Sequence, residues 1–151
     1  MGILLKIWKL LKLSSGLQLF IMRRFNDQFL IGVTGIFTDE GGKILLFKHT
    51  YRDHDQWSLP GGYIKGKEHP KEAAEREVKE ESGLIVSADE TLNVRTDRAS
   101  PRLDIVVVGK YLGGNFKPSK EVAAAKRFAF DKLPRLPRDQ FFFVSKALGK
   151  I

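Results

Sequence analysis

Between Gly62 and Leu84 the chain reads GYIKGKEHPKEAAEREVKEESGL, and its spacing predicts one helix from His69 to Ser82. Pro70 suits the first turn, where its missing N–H has no helical partner, and Gly83 stands where helices close on glycine. On that helix Glu77, Glu80 and Glu81 fall at i, i+3 and i+4, so their carboxylates share one face. Like charges at these separations repel and destabilise a bare helix, so the stripe makes sense if a cation neutralises it. Carboxylate oxygens are hard ligands, which points to Mg²⁺, with Mn²⁺ as a substitute. The other stripe holds Ala73, Ala74 and Val78, which can pack on a sheet. Arg76 stands beside Glu77 and four residues after Glu72, placed to pair with an acid and steady the acidic face. The Gly61-Gly62 turn ahead of the helix lets backbone come close to whatever binds there.

The rest of the composition narrows the chemistry. There is no cysteine, which removes disulfides, thiolate zinc sites and cysteine nucleophiles, and which fits a reducing cytoplasm. The three histidines, His49, His54 and His69, are scattered without metal-ligand spacing and read as surface or loop residues. A net charge of +8 suits phosphates, nucleic acids and anionic membranes alike. That charge is uneven: Lys6, Lys9, Lys12, Arg23 and Arg24 crowd one end and Lys132, Arg135, Arg138, Lys146 and Lys150 the other, while glutamates crowd positions 68–81.

Residues 2–14 read as a short amphipathic basic helix with Trp8 on its apolar side, ended by Ser14-Ser15-Gly16. Its lysines interrupt the apolar run every three residues, so it can neither cross a bilayer nor serve as a secretory signal. Residues 17–27 read as a connector. Residues 29–38 and 43–49 form a hairpin around Asp39-Glu40-Gly41-Gly42, and Pro60-Gly61-Gly62 stops regular structure. Beyond the helix, strands are expected at 84–86, 92–96, 102–112 and 121–130, a loop at 131–138 and a last helix at 140–148. Trp57, Phe37 and Phe47 are expected in the packing. The division is residues 1–28 as N-terminal helix and connector and 29–151 as one domain. Its fold class is α+β, a mixed sheet sandwiched between helices.

The segment Gly62, Glu68, Arg76, Glu77, Val78, Glu80, Glu81, Gly83 and Leu84 resembles the Nudix box, Gly-x5-Glu-x7-Arg-Glu-apolar-x-Glu-Glu-x-Gly-apolar, at every specified position. Similarity to that superfamily covers about residues 29–148, with Trp57 to Gly62 like the segment that precedes the box. The resemblance implies a Mg²⁺-dependent hydrolase that cuts a diphosphate linkage by attack of water on phosphorus. It implies metal ligation by the Gly61 carbonyl, Glu80 and Glu81, with Glu77 as a further ligand or as the group that orients the water. Arg76 and Glu68 are then a supporting ion pair, and Glu121, before a later strand, completes the acid set. Catalytic roles fall to Arg76, Glu77, Glu80 and Glu121, and substrate contacts to Gly62, Glu68 and Arg52, with His54 beside Arg52. Ala124 and Ala125 stand where some relatives carry a second late glutamate. The implied substrate is a small nucleoside diphosphate derivative, with ADP-ribose or a nucleotide sugar favoured. The alternatives are a nucleoside triphosphate, an RNA 5′ end, or a weakly active nucleotide-binding module. Nucleic acid is disfavoured because the chain lacks an aromatic-basic platform. The N-terminal helix leaves a membrane surface and a homodimer open as partners, and the expected location is the cytoplasm.

Overall fold

The computed structural model describes residues 13–52, 56–96 and 100–151. Six strands form one sheet: β1 (Leu30–Thr38), β2 (Ile44–His49), β3 (Gly61–Tyr63), β4 (Leu84–Thr96), β5 (Arg102–Gly114) and β6 (Val122–Phe128). Their order is β4-β5-β1-β2-β6, with β3 beside β1. β1 and β5 run parallel from Leu30↔Arg102 to Thr38↔Lys110, and the other pairings are antiparallel, so the sheet is mixed. One edge of β1 is divided. Residues Gly32 to Thr34 pair with β3, whereas β2 is met only at Thr38↔Ile44.

Alternation along the central strands sorts the core into two layers, because successive strand residues point to opposite faces. Val33, Phe37, Leu45, Phe47 and Val107 pack with Ala73, Ala74 and Val78 of α2 (Pro70–Ser82). Ile36, Ile44, Leu46 and Val106 pack with Phe143 and Val144 of α3 (Arg138–Ala147). Phe37 and Phe47 are fully buried, and Trp57 meets Phe128 edge-on with centroids 4.9 Å apart. Each side chain of this size contributes roughly 1.5–3 kcal/mol on leaving water, so the sheet is clamped from both sides. The α/β/α sandwich is thus the result of period-two strands between two amphipathic helices.

Four local expectations are corrected. Ser14-Ser15-Gly16 begins a helix rather than ending one: Ser14 caps α1 (Ser15–Phe25), its Oγ accepting from the Leu17 N–H at 3.4 Å. Serine serves at either end of a helix, and here the apolar residues that follow decide for a start. Residues 17–25 are therefore helical, not a connector; the helix read over 2–14 lies outside the described residues except for Leu13 and Ser14. Gly61 and Gly62 do not stop regular structure but belong to β3, since strand pairing supplies the hydrogen bonds their weak propensity would not hold alone. The strands expected at 84–86 and 92–96 are one continuous β4, carried across three register shifts opposite β5. Residues 130–132, at the end of the expected last strand and the start of the expected loop, form a 3₁₀ turn.

Candidate functional site

The box segment builds its site within itself. Glu72 accepts from the His69 backbone N–H at 2.9 Å, which starts α2 cleanly, and Gly83 ends it at φ 71°. Glu72 is thereby committed to the cap. Arg76 turns instead to Glu68, donating Nε to one carboxylate oxygen at 2.6 Å and an Nη to the other at 3.0 Å. Its second Nη donates to Glu77 at 2.8 Å and Glu80 at 2.9 Å, and the Tyr63 carbonyl accepts at 3.1 Å. One guanidinium thus ties three carboxylates and a strand carbonyl together. Arg76 donation, followed by the Lys65 backbone N–H, pulls Glu68 down to about 2. Glu80 is held low chiefly by Arg76, with Lys65 adding an ion pair at 3.5 Å.

Glu81 is the exception. It is 9% exposed, one of its oxygens has no hydrogen-bond partner among the described residues, and its carboxyl is pushed up to about 8. Burial is the largest cause, followed by the charges of Glu77, Glu121 and Glu80. A buried anion facing three others without a donor is costly unless a cation supplies the missing charge. Glu121 therefore joins the box acids in space: Glu77, Glu80, Glu81 and Glu121 line one small cleft with Ser119 and Lys120. Its position is set from two sides, by the Thr50 N–H donating to the Glu121 carbonyl at 2.9 Å and by Ser119 Oγ accepting from the Glu121 N–H at 3.2 Å. As they stand, no three acidic or histidine side chains among the described residues surround a common point closely enough to ligate an ion. The reason is visible in the pairing, because Arg76 draws Glu77 and Glu80 toward itself while Glu81 stays behind in the helix–sheet seam.

The two glycines ahead of the box have different tasks. A Cβ on Gly61 would stand 2.2 Å from the Val33 carbonyl oxygen, and one on Gly62 would stand 2.3 Å from the Glu77 carboxyl carbon. Gly61→Ala is expected to disturb the β1–β3 pairing and lower the melting temperature. Gly62→Ala meets only the end of a flexible side chain, so the fold should hold while Glu77 moves. Circular dichroism melting and turnover, measured on both variants, should separate them: stability lost at 61, and turnover lost by about tenfold or more at 62.

A cleft of about 550 Å³ opens from the acids toward the β1–β5 side, within the usual size of a small-molecule site. Arg52, Gly61, Gly62, Glu77, Glu81 and Glu121 line it, so those expected site residues come together, while Glu68 stands behind them on Arg76. His54 lies outside the described residues. The cleft also takes residues that sequence reading passed over. Lys65, Arg102, Tyr63 and Gln140 line it, with Arg102 5.7 Å from the Tyr63 ring centroid and Gln140 Oε1 accepting from the Leu59 N–H at 2.8 Å. His49 was read as a surface or loop residue and is instead buried at the end of β2, lining the same cleft. Burial, then the Arg52 charge, lowers it to about 4, so it is a neutral imidazole near pH 7. Its place just beyond the continuous apolar run of residues 44–47 is the one local signal for it.

A model of the NUDIX domain matches residues 28–145. The chain belongs to the Nudix hydrolases. It is 35% identical over 115 residues to an ADP-ribose pyrophosphatase of Methanocaldococcus jannaschii, covering 72% of this chain and 67% of that one. It is 30% identical over 103 residues to a MutT-like protein of Streptomyces ambofaciens, covering 68% and 66%. Among solved structures, an ADP-ribose pyrophosphatase from Streptococcus suis superposes at a TM-score of 0.68 with 27% identity, covering 80% of this chain and 92% of that one. A UDP-X diphosphatase at 24% identity and TM-score 0.69, covering 93% and 74%, shares the fold. In this Nudix chain the matched region begins after α1 and takes in the box, the cleft, α2 and all but the last two residues of α3.

Proposed function

We propose that this Nudix hydrolase cleaves the pyrophosphate linkage of a small nucleoside diphosphate derivative, of ADP-ribose or nucleotide-sugar type, with Mg²⁺. The observation that carries the reading is Glu81: a buried, partnerless carboxylate oxygen facing Glu77, Glu80 and Glu121 fits a hard divalent cation. Glu80 and Glu81, with the Gly61 carbonyl, would hold it, joined by Glu77 and Glu121. Such a cation would supply charge neutralisation of the phosphate oxygens and activation of water. Glu77 and Glu80 would give up part of their bonding to Arg76 to join it, while Glu68 would keep Arg76 in place as the shared counter-charge. Arg52, Lys65 and Arg102 present positive charge along the cleft, where the diphosphate oxygens of a substrate would lie. Water adds to one phosphorus, the bridging P–O bond breaks, and two phosphate monoesters leave. Glu77 or Glu121 takes the proton from the attacking water. The closeness of two ADP-ribose pyrophosphatases supports the substrate class.

A panel of ADP-ribose, nucleotide sugars, nucleoside triphosphates and 5′-triphosphorylated RNA, assayed with Mg²⁺, tests the reading. Nucleoside monophosphate release from the first two groups is expected. Inorganic diphosphate from triphosphates or RNA alone would replace the substrate assignment, and turnover undiminished in EDTA would remove the cation. Restoration by Mg²⁺ or Mn²⁺ after chelation is the expected control.

A further inference from the structure

We infer that the segment ahead of the Nudix domain is an interfacial anchor that lays this enzyme on an anionic lipid surface. The first 26 residues contain Lys6, Lys9, Lys12, Arg23 and Arg24 and no Asp or Glu, so this stretch supplies five of the chain's net +8. The same stretch holds 15 large apolar residues, Trp8 among them. Such a mixture of cations with Trp, Phe and Leu, lacking carboxylates, is the composition of helices that lie in the headgroup boundary.

The described part of the segment, α1, supports this in three dimensions. None of its residues is buried, with Phe20 69% and Phe25 81% exposed. Leu17, Leu19, Phe20, Ile21 and Met22 fall around the whole circumference rather than on one stripe. The domain core does not take these apolar side chains in, so they are left for an apolar phase outside the domain. At 11 residues, α1 reaches about half the thickness of a bilayer core, so it can lie in the interface but not cross. Arg23 and Arg24 stand in its last turn, followed by exposed Phe29 and Leu30 at the start of β1. Charge selects the occupant. Contact with a second copy through α1 would bring Arg23 and Arg24 of both copies together, whereas an anionic leaflet neutralises them.

Full-length protein is to be sedimented with vesicles of phosphatidylcholine alone and with vesicles holding about one third phosphatidylglycerol. Each cation near such a surface is worth about fivefold in partitioning. The anionic vesicles should therefore bind at least about tenfold better, and less so in high salt. Arg23→Glu with Arg24→Glu, and separately Phe20→Asp, should each lower that binding by about tenfold or more, while Arg23→Lys with Arg24→Lys retains it. All three variants should hydrolyse a soluble substrate at the wild-type rate, which shows the domain intact. Equal binding to both vesicle types, binding to neither, or a lipid-free doubling of mass that Phe20→Asp removes would overturn the anchor. The last of these would assign the face to a second copy.

Discussion

Glu81→Gln should abolish most turnover while making the metal-free protein more stable. The loss follows if Glu81 is a principal cation ligand: several kcal/mol of transition-state stabilisation corresponds to roughly two to three orders of magnitude in rate. The gain follows from its surroundings. In an unfolded chain this carboxyl titrates near 4.5, whereas in the folded protein it is pushed up to about 8. Between those values the native state holds the extra proton, so this carboxyl's contribution to metal-free stability falls as pH rises from about 4.5 through about 8; up to about 6.5 the lowered His49 offsets it, and the net fall lies between about 6.5 and 8. Glutamine has no proton to lose, so its melting temperature should rise with His49 up to about pH 6.5, stay level above that, and stand several degrees above wild type at about pH 8. Adding Mg²⁺ should restore wild-type stability at high pH and leave the variant unchanged. Melting curves across pH, with and without Mg²⁺, check all of this. A wild-type curve that rises between about pH 6.5 and 8 in chelator, or a variant with full turnover, would refute the assignment.

Arg76→Lys is expected to cost roughly 10–100-fold in cation affinity or turnover. A single ammonium cannot bridge Glu68, Glu77 and Glu80 at once, as the guanidinium does at 2.6–3.0 Å. The loss should fall on the Mg²⁺ concentration giving half-maximal rate more than on the rate at saturating Mg²⁺, because the carboxylates are displaced rather than removed. Steady-state kinetics over a Mg²⁺ series reads this split. Unchanged metal dependence would mean that Arg76 serves the fold alone.

The helix, its caps and its acidic stripe were readable because their causes lie within 23 consecutive residues. A 3.6-residue period and the Pro70 and Gly83 signals need no tertiary information. The sandwich was readable in outline from period-two strands, yet its strands were cut in the wrong places. β3 exists only because β1 lies beside it, and β4 runs unbroken only because β5 holds it across its irregularities. Arg102 and Gln140 escaped notice for a similar reason. Arg102 reaches the cleft through the parallel register with Leu30, and Gln140 through its bond to Leu59 across the molecule. Neither relation has a local trace. His49 shows a different limit: the apolar run before it hints at burial, but only the fold brings Glu121 beside it, with Phe47 and Tyr51 against its ring. Serines at 14 and 15 carried a signal of genuine double meaning, and only the apolar run after them resolves it.

The divided edge of β1 has an evolutionary consequence. Because β3 occupies the first half of that edge and β2 touches only its end, Gly61, Gly62 and the box acids come from one contiguous stretch of chain, joined by Glu121 from just before β6. Its far wall is drawn from β5, α3 and the segment after β2. Mutation on that wall, at Gln140 for example, can therefore alter the fit to a leaving group without touching the acids. Descendants of such a chain can diverge in diet while inheriting one unaltered chemistry.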